Sequence, residues 1–257
     1  MGQNFILDMN ILRKIANSAG RNNNRPILEI GAGPGGLTRA LLETAASTVI
    51  AIEKDQRCVP ALDQIASVAN GRLKVLMQDA LTLDYEKLVT TYGKLRVVAN
   101  LPYNVATPLL LKWLNLIECF DSFVLTLQNE VAGRLSASTG SKAYGRLSIA
   151  TQWRCEVKTL FQLRSEVFFP HPKVDSTVIK LLPRTEILAH ACPKFLEKIV
   201  ADAFSSRRKM IRSTLKKSFD NPILALEEAG ISPTSRPEDV DIKDFCCLAR
   251  ILEKNSQ

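Results

Sequence analysis

The chain has 257 residues, 46% of them hydrophobic and 23% charged, which suits one large domain plus a small one and excludes a disordered or fibrous chain. Lysine and arginine number 34 against 26 acids, and the resulting +8 is compatible with a nucleic-acid partner. Six scattered cysteines without a C-x-x-C pair, and only two histidines, argue against a zinc site and for free thiols in a reducing compartment. No segment reaches the roughly 18 apolar residues of a membrane helix. The first residues lack the basic and apolar runs of a signal peptide, so the expectation is a soluble, cytoplasmic protein.

In chain order, short β-branched runs predict strands at 27–30, 48–53, 73–77, 95–99, 122–127, 148–155 and 174–182. Amphipathic segments between them predict helices at 37–43, 55–68, 85–91, 108–116 and 130–136. This alternation predicts an α/β fold, a mostly parallel seven-stranded sheet covered on both faces. The last two strands have only a loop between them, too short for a parallel crossover, so an antiparallel pairing at one edge is expected. Beyond 182 the strand signal ends, and 195–219, 222–229 and 241–253 carry helical spacing. The expected domains are 1–184, catalytic, and a small all-α domain, 185–257.

The segment Ile27-Leu28-Glu29-Ile30-Gly31-Ala32-Gly33-Pro34-Gly35-Gly36-Leu37-Thr38 reads as strand, glycine turn and helix start. Glu53 ends the next strand, 22 residues after Gly31, where a carboxylate can accept both hydroxyls of a ribose. Gly31, Gly33 and Gly36 also satisfy the dinucleotide fingerprint, so spacing alone leaves a dinucleotide, S-adenosylmethionine or an empty turn open. Two details lean toward S-adenosylmethionine: Glu29 can face the amino-acid end of the cofactor, and Pro34 removes an amide that a pyrophosphate would use. Asp79 follows the third strand, placed to accept a hydrogen bond from an adenine amine or else to cap a loop.

Asn100-Leu101-Pro102-Tyr103 follows the fourth strand. The lone pair of an adenine N6 is delocalised into the ring. Its methylation therefore needs acceptors for the amine hydrogens more than a strong base. The Asn100 side-chain oxygen and the Leu101 carbonyl can supply two acceptors. Pro102 restrains the backbone, and Tyr103 offers a face to an extruded base. Positioning for in-line transfer then supplies most of the catalysis.

With these segments in place, the chain resembles the KsgA/RsmA family, the ribosomal RNA adenine N6,N6-dimethyltransferases. The resemblance rests on Gly2-Gln3-Asn4-Phe5-Ile6-Leu7-Asp8, Glu29-Ile30-Gly31-Ala32-Gly33, Ile52-Glu53-Lys54-Asp55, Gln78-Asp79-Ala80 and Asn100-Leu101-Pro102-Tyr103-Asn104. It continues in Val167-Phe168-Phe169-Pro170-His171-Pro172-Lys173-Val174-Asp175-Ser176 and Ala203-Phe204-Ser205-Ser206-Arg207-Arg208-Lys209. It implies a Rossmann-like class I methyltransferase using S-adenosylmethionine, with Asn4, Ile6, Gly31, Gly33, Glu53, Asp79 and Asn100 at the cofactor. It implies further that Asn100 to Tyr103 hold the target adenine and that Phe168 stacks on its other face. The implied substrate is two adjacent adenosines in the 3′-terminal hairpin of 16S ribosomal RNA, in an immature 30S subunit, modified by a monomer without a metal. Relatives usually carry a basic extension ahead of the Gln-Asn-Phe segment; here that segment begins at residue 2, and position 6 is isoleucine where leucine is usual.

Residues 203–219 hold Arg207, Arg208, Lys209, Arg212, Lys216 and Lys217 and no acid, which predicts a basic helix stripe for phosphate contacts. From 184 onward there are 13 basic and 11 acidic residues, +2, which leaves +6 for the residues before it. Three alternatives compete. One is an Erm-type enzyme of 23S ribosomal RNA, disfavoured by Gly2 and Leu101. Another is a non-catalytic assembly or transcription factor on the same fold. The last is a nicotinamide-dependent dehydrogenase, for which only His171 and His190 could serve as a histidine acid–base.

Overall fold

The computed structural model describes residues 4–20 and 24–256, with side chains for all of these except Tyr103 and Asn104. Gly2 and Gln3 of the first motif lie outside the described residues. The first elements of the described residues are a two-residue strand, β1 (Phe5–Ile6), and helix α1 (Met9–Ser18). The Asp8 carboxylate caps α1 by accepting the Asn10 amide at 2.7 Å. Alternation follows: β2 (Ile27–Ile30), α2 (Gly36–Leu42), β3 (Val49–Glu53), α3 (Val59–Val68), β4 (Leu73–Met77), α4 (Tyr85–Tyr92), β5 (Leu95–Asn100), α5 (Tyr103–Asn115) and β6 (Phe120–Gln128). Next come α6 (Asn129–Leu135), α7 (Arg146–Arg154), β7 (Cys155–Leu163), β8 (Phe168–Phe169) and β9 (Ser176–Pro183). The chain ends in α8 (Pro193–Ala203), α9 (Ile211–Thr214), α10 (Pro222–Glu228) and α11 (Ile242–Lys254).

The seven-stranded sheet has the order β4-β3-β2-β5-β6-β9-β7. Pairs from β4 through β6 are parallel, and β9 runs antiparallel to β6. β2 and β3 are buried along their whole length, as strands covered on both faces must be. The last two strands do lie side by side at the sheet edge, as expected, but the outer one is β7 and not 148–155.

Residues 148–154 form the larger part of α7 instead. The β-branched residues misled the reading, because Ile149 and Trp153 are four apart and share the buried face of a helix. Ser148 fixes its start, accepting the Gly145 amide at 3.0 Å and donating to the Arg134 carbonyl at 2.6 Å. The chain divides into two compact units, residues 1–132 with 157–183, and 133–156 with 184–257. The sequence boundary at 184 misses this insertion of α7 into the second unit.

Each unit has its own core. In the first, Ile6, Leu12, Ile15, Leu41, Val98, Phe168 and Val178 belong to one apolar cluster. In the second, Tyr144, Ile149, Trp153, Ile199, Phe245 and Leu248 do. The expected helix 195–219 is also broken. α8 ends at Ala203, the Ser205 hydroxyl bonds back to the Asp202 carbonyl at 2.7 Å, and residues 204–210 turn without helix before α9. No helix among the described residues is long and apolar enough to cross a membrane.

Candidate active site

β2 sits between β3 and β5, so the strand order reverses there, and Ile30 pairs with Ala99. Gly31 and Asn100 are therefore brought together at the carboxyl ends of adjacent strands. Open α/β sheets bind ligands at this kind of switch point. A cavity of about 210 Å³ opens here, lined by Phe5, Ile6, Leu7, Gly31, Ala32 and Asn100 among others. Of the expected cofactor residues, Ile6, Gly31 and Asn100 line it directly. Asn4 joins through its carbonyl, which accepts the Asn100 Nδ2 at 2.9 Å. That bond fixes the amide and leaves Oδ1 as the acceptor end.

Leu101 is buried, and Pro102, with φ −57° and ψ 137°, precedes the first residue of α5. Tyr103 opens α5, five residues earlier than the helix expected from 108, and Pro108 lies within it. The Tyr103 side chain lies outside the described residues.

The glycine turn discriminates between ligands. The Gly31 and Ala32 amides both bond to the Ile52 carbonyl, the Gly33 amide to Glu53 and the Gly35 amide to the Ala32 carbonyl. Pro34 has no amide, so none remains from Gly31 to Gly35 to cradle a phosphate. The turn thus fits a cofactor that places no phosphate on it. A Cβ on Gly31 would meet nothing within 4 Å, whereas one on Gly33 would lie 2.6 Å from the Phe5 ring. Gly33, at φ +55°, is thus roofed by Phe5.

Both glutamates differ from expectation. Glu53 is 3% exposed, and its carboxylate accepts the amides of Gly33, Lys54 and Asp55, each at 2.8 Å. A carboxylate has about four acceptor positions, so as it stands Glu53 anchors the turn and is not an open ribose acceptor. Glu29 does not face the cavity. It is fully buried, accepts the Thr38 hydroxyl at 2.6 Å, and its Oε1 has no partner among the described residues. Burial pushes its pKa up to about 8; the Thr38 hydroxyl opposes this and the Glu53 charge adds to it. Glu29 therefore ties β2 to α2, in surroundings that favour its protonated form. Asp79 accepts the Leu81 amide at 2.9 Å through Oδ1, and its Oδ2 lies 3.6 Å from Lys54 Nζ. It follows β4 as expected, in a capping role that leaves its carboxylate 40% exposed. Gly33, Glu53 and Asp79 lie outside the cavity lining.

Phe168 is corrected by its strand pairing. β8 pairs antiparallel with β1, Phe5 opposite Phe169 and Ile6 opposite Phe168. Directly opposed residues share a face of such a ribbon. Ile6 and Phe168 point into the core, 5% and 2% exposed, so the Phe168 ring anchors the loop and presents no free stacking face. The sequence pattern gives no role of their own to Phe5 and Arg39, which also line the cavity, as Pro34 does. Phe5 was within reach of it, as a member of the first motif whose alternation with Ile6 sets the inner and outer faces.

In the second unit the basic stripe dissolves into unlike parts. Arg207 donates through Nη2 to the carbonyls of Lys142 and Tyr144, at 2.9 and 2.6 Å, and lies 3.5 Å from Glu238. It clamps the 142–144 segment, with 43% of its side chain exposed. Arg208 and Lys209 have exposed side chains in the turn, and Arg212, half-buried, lies in α9. The four-residue spacing of Arg208 and Arg212 therefore does not make a helix face.

The fold, the switch-point cavity and a glycine turn without phosphate donors define a Rossmann-like, S-adenosylmethionine-dependent methyltransferase. The family model for the ribosomal RNA adenine dimethylases matches residues 1–254, and the chain belongs to this family. It is therefore an enzyme acting on adenine in ribosomal RNA. Among curated relatives, ribosomal RNA small subunit methyltransferase A of Paramagnetospirillum magneticum is 48% identical over 98% of this chain and 89% of its own length. The protein of that name from Ruegeria sp. is 49% identical over 99% and 91%. A dimethyladenosine transferase from Plasmodium falciparum superposes with a TM-score of 0.82 at 25% identity, covering 98% of both chains. The 23S rRNA methyltransferase ErmE has a TM-score of 0.74 at 24% identity, over 97% of this chain and 100% of its own, a likeness of fold.

Proposed function

We propose that the protein dimethylates N6 of two adjacent adenosines in the 3′-terminal hairpin of 16S ribosomal RNA, acting as a cytoplasmic monomer on an immature 30S subunit. The observation that carries the reading is Asn100: its Nδ2 is committed to the Asn4 carbonyl at 2.9 Å, which leaves Oδ1 at the cavity to accept from an exocyclic amine. The small-subunit names of the relatives support the choice of RNA.

S-adenosylmethionine, when bound, supplies a methyl group already activated on sulfonium. Asn4, Ile6 and Gly31 would hold its amino-acid end and Asp79, whose carboxylate is 40% exposed, its adenine amine, while Glu53 keeps the glycine turn in shape. Asn100 Oδ1 and the Leu101 carbonyl accept the two hydrogens of the target amine and turn its lone pair toward the methyl group. Pro102 holds that acceptor pair in place, and the Tyr103 ring takes one face of the base. Arg208, Lys209 and Arg212 bind phosphates of the hairpin.

The test is mass spectrometry of ribosomal RNA after incubation of immature small subunits with the purified protein and labelled cofactor. N6,N6-dimethyladenosine in the 16S terminal hairpin is the expected product. The same product confined to 23S RNA would transfer the reading to the Erm type. No label in either RNA would leave a non-catalytic binding protein.

A further inference from the structure

The β1–β8 ribbon has one buried face and one that is not. Its inner face is Ile6 and Phe168, in the core. Its outer face carries Phe5 and Phe169, directly opposed, and Leu7 continues the alternation beyond β1. Phe5 and Leu7 line the cavity. Phe169 is 63% exposed and Leu7 70%, so an apolar lip stands in solvent beside the cavity mouth. The buried neighbour Phe168 holds the Phe169 backbone firmly, and Asp175 closes the loop by accepting the Ser165 amide at 2.9 Å. With its backbone held in this way, the residue loses only side-chain freedom when something stacks on its ring.

We propose that Phe169 is the platform for an unpaired RNA base that adjoins the target adenine and stays outside the cavity. The proposal rests on the reading that an adenine enters at Asn100. An aromatic ring stacks on any base, so the platform needs no sequence readout. Arg164 and Lys173 in this loop are offset by Glu166 and Asp175, so its chemistry suits a base face more than a phosphate. The +6 carried before residue 184 supplies the general attraction to the backbone. With two adjacent adenosines as substrate, one base is necessarily outside whenever the other is inside. Opposite the cavity-lining Phe5, the ribbon offers that second base an exposed ring.

The experiment measures binding of hairpin RNAs to the S-adenosylhomocysteine-saturated protein, wild type and Phe169→Ala. The RNAs are the intact hairpin, hairpins with an abasic site on either side of the target, and one abasic at the target. Wild type should lose about tenfold in affinity when the neighbouring base on one side is removed. Phe169→Ala should show that loss on the intact hairpin and be indifferent to the same abasic site, while Phe169→Trp restores wild-type behaviour. Affinity for S-adenosylhomocysteine alone should not change in either variant. Equal binding of intact hairpin by Phe169→Ala and wild type would overturn the platform. Coupling of Phe169 to the target base instead of its neighbour would overturn it too, and so would a change only in self-association. If wild type is indifferent to the target base itself, the failure lies in the underlying reading, and the platform falls with it.

Discussion

Glu53 in the first unit and the Arg207-Arg208 pair in the second show what commitment to the backbone does to a charged side chain. Glu53 takes three amides and holds the glycine turn closed. Both arginines are exposed, yet Arg207 gives to two carbonyls and pins 142–144, while Arg208, one residue on, lies in the turn. Adjacent residues of one type thus do opposite work. The same contrast divides Phe168 from Phe169, one in the core and one in solvent. Charge and aromaticity qualify a residue for ligand binding, but only the groups left without an internal partner are available for it.

The sharpest way to break the contrast is to truncate the two rings separately. Phe168→Ala should lose about 3–5 kcal/mol of stability, as a large core ring replaced by a cavity does. Phe169→Ala should stay within about 0.5 kcal/mol of wild type. Equal shifts in denaturant midpoint would mean that the two faces of the ribbon are not distinct. Next in size is Asn100→Ala, which removes both the acceptor and the tie to Asn4. Methyl transfer should fall about a hundredfold or more, by analogy with loss of one preorganised hydrogen-bonding group. Cofactor binding, followed by calorimetry, should remain measurable, and near wild-type turnover would remove Asn100 from the chemistry.

The arginine pair gives a smaller, divided effect. Arg207→Ala should cost about 1–2 kcal/mol through two lost charge-assisted hydrogen bonds, discounted for partial exposure. The double variant Arg208→Gln, Lys209→Gln should leave the melting temperature alone and flatten the salt dependence of RNA binding. Each lost phosphate contact lowers the slope by about 0.7–0.9. If Arg207→Ala changed the salt slope and not the melting temperature, clamp and contact would have to be exchanged.

Much of the first unit was legible because each local signal agreed with its neighbours. The strands from β2 to β6 are short apolar runs, and the glycine turn and Asn100 follow adjacent strands, which brings them together at the switch point. Commitment was not legible. Nothing in Gly33 or Glu53 as letters says that the amide of one would take the carboxylate of the other. α7 was missed because Ile149, Thr151 and Trp153 read as a strand, while the Ile149–Trp153 spacing fits a helix and only the second core decides between them. The run 203–219 looked helical by composition. Its break depends on serines bonding locally and on the Ile211 amide reaching the Ser235 carbonyl at 2.8 Å, 24 residues away.

Glu29 sharpens the comparison from the acid side, because it is a committed carboxyl whose partner bonds only one oxygen. Its pKa rises from an ordinary 4.5 to about 8 in the folded protein. Between those two values the folded state binds a proton that the unfolded state has released. Stability from this group is therefore complete at acid pH and is lost as pH rises from 4.5 to about 8, levelling above that. Glu29→Gln is nearly isosteric, keeps an acceptor for the Thr38 hydroxyl and cannot ionise. It should match wild type near pH 5 and melt higher than wild type near pH 9, with the difference growing in between. Melting curves at constant ionic strength across this range test it. Identical pH profiles for the two proteins would show that Glu29 is ionised in the fold, with its buried Oε1 satisfied by a partner that the side-chain packing does not supply.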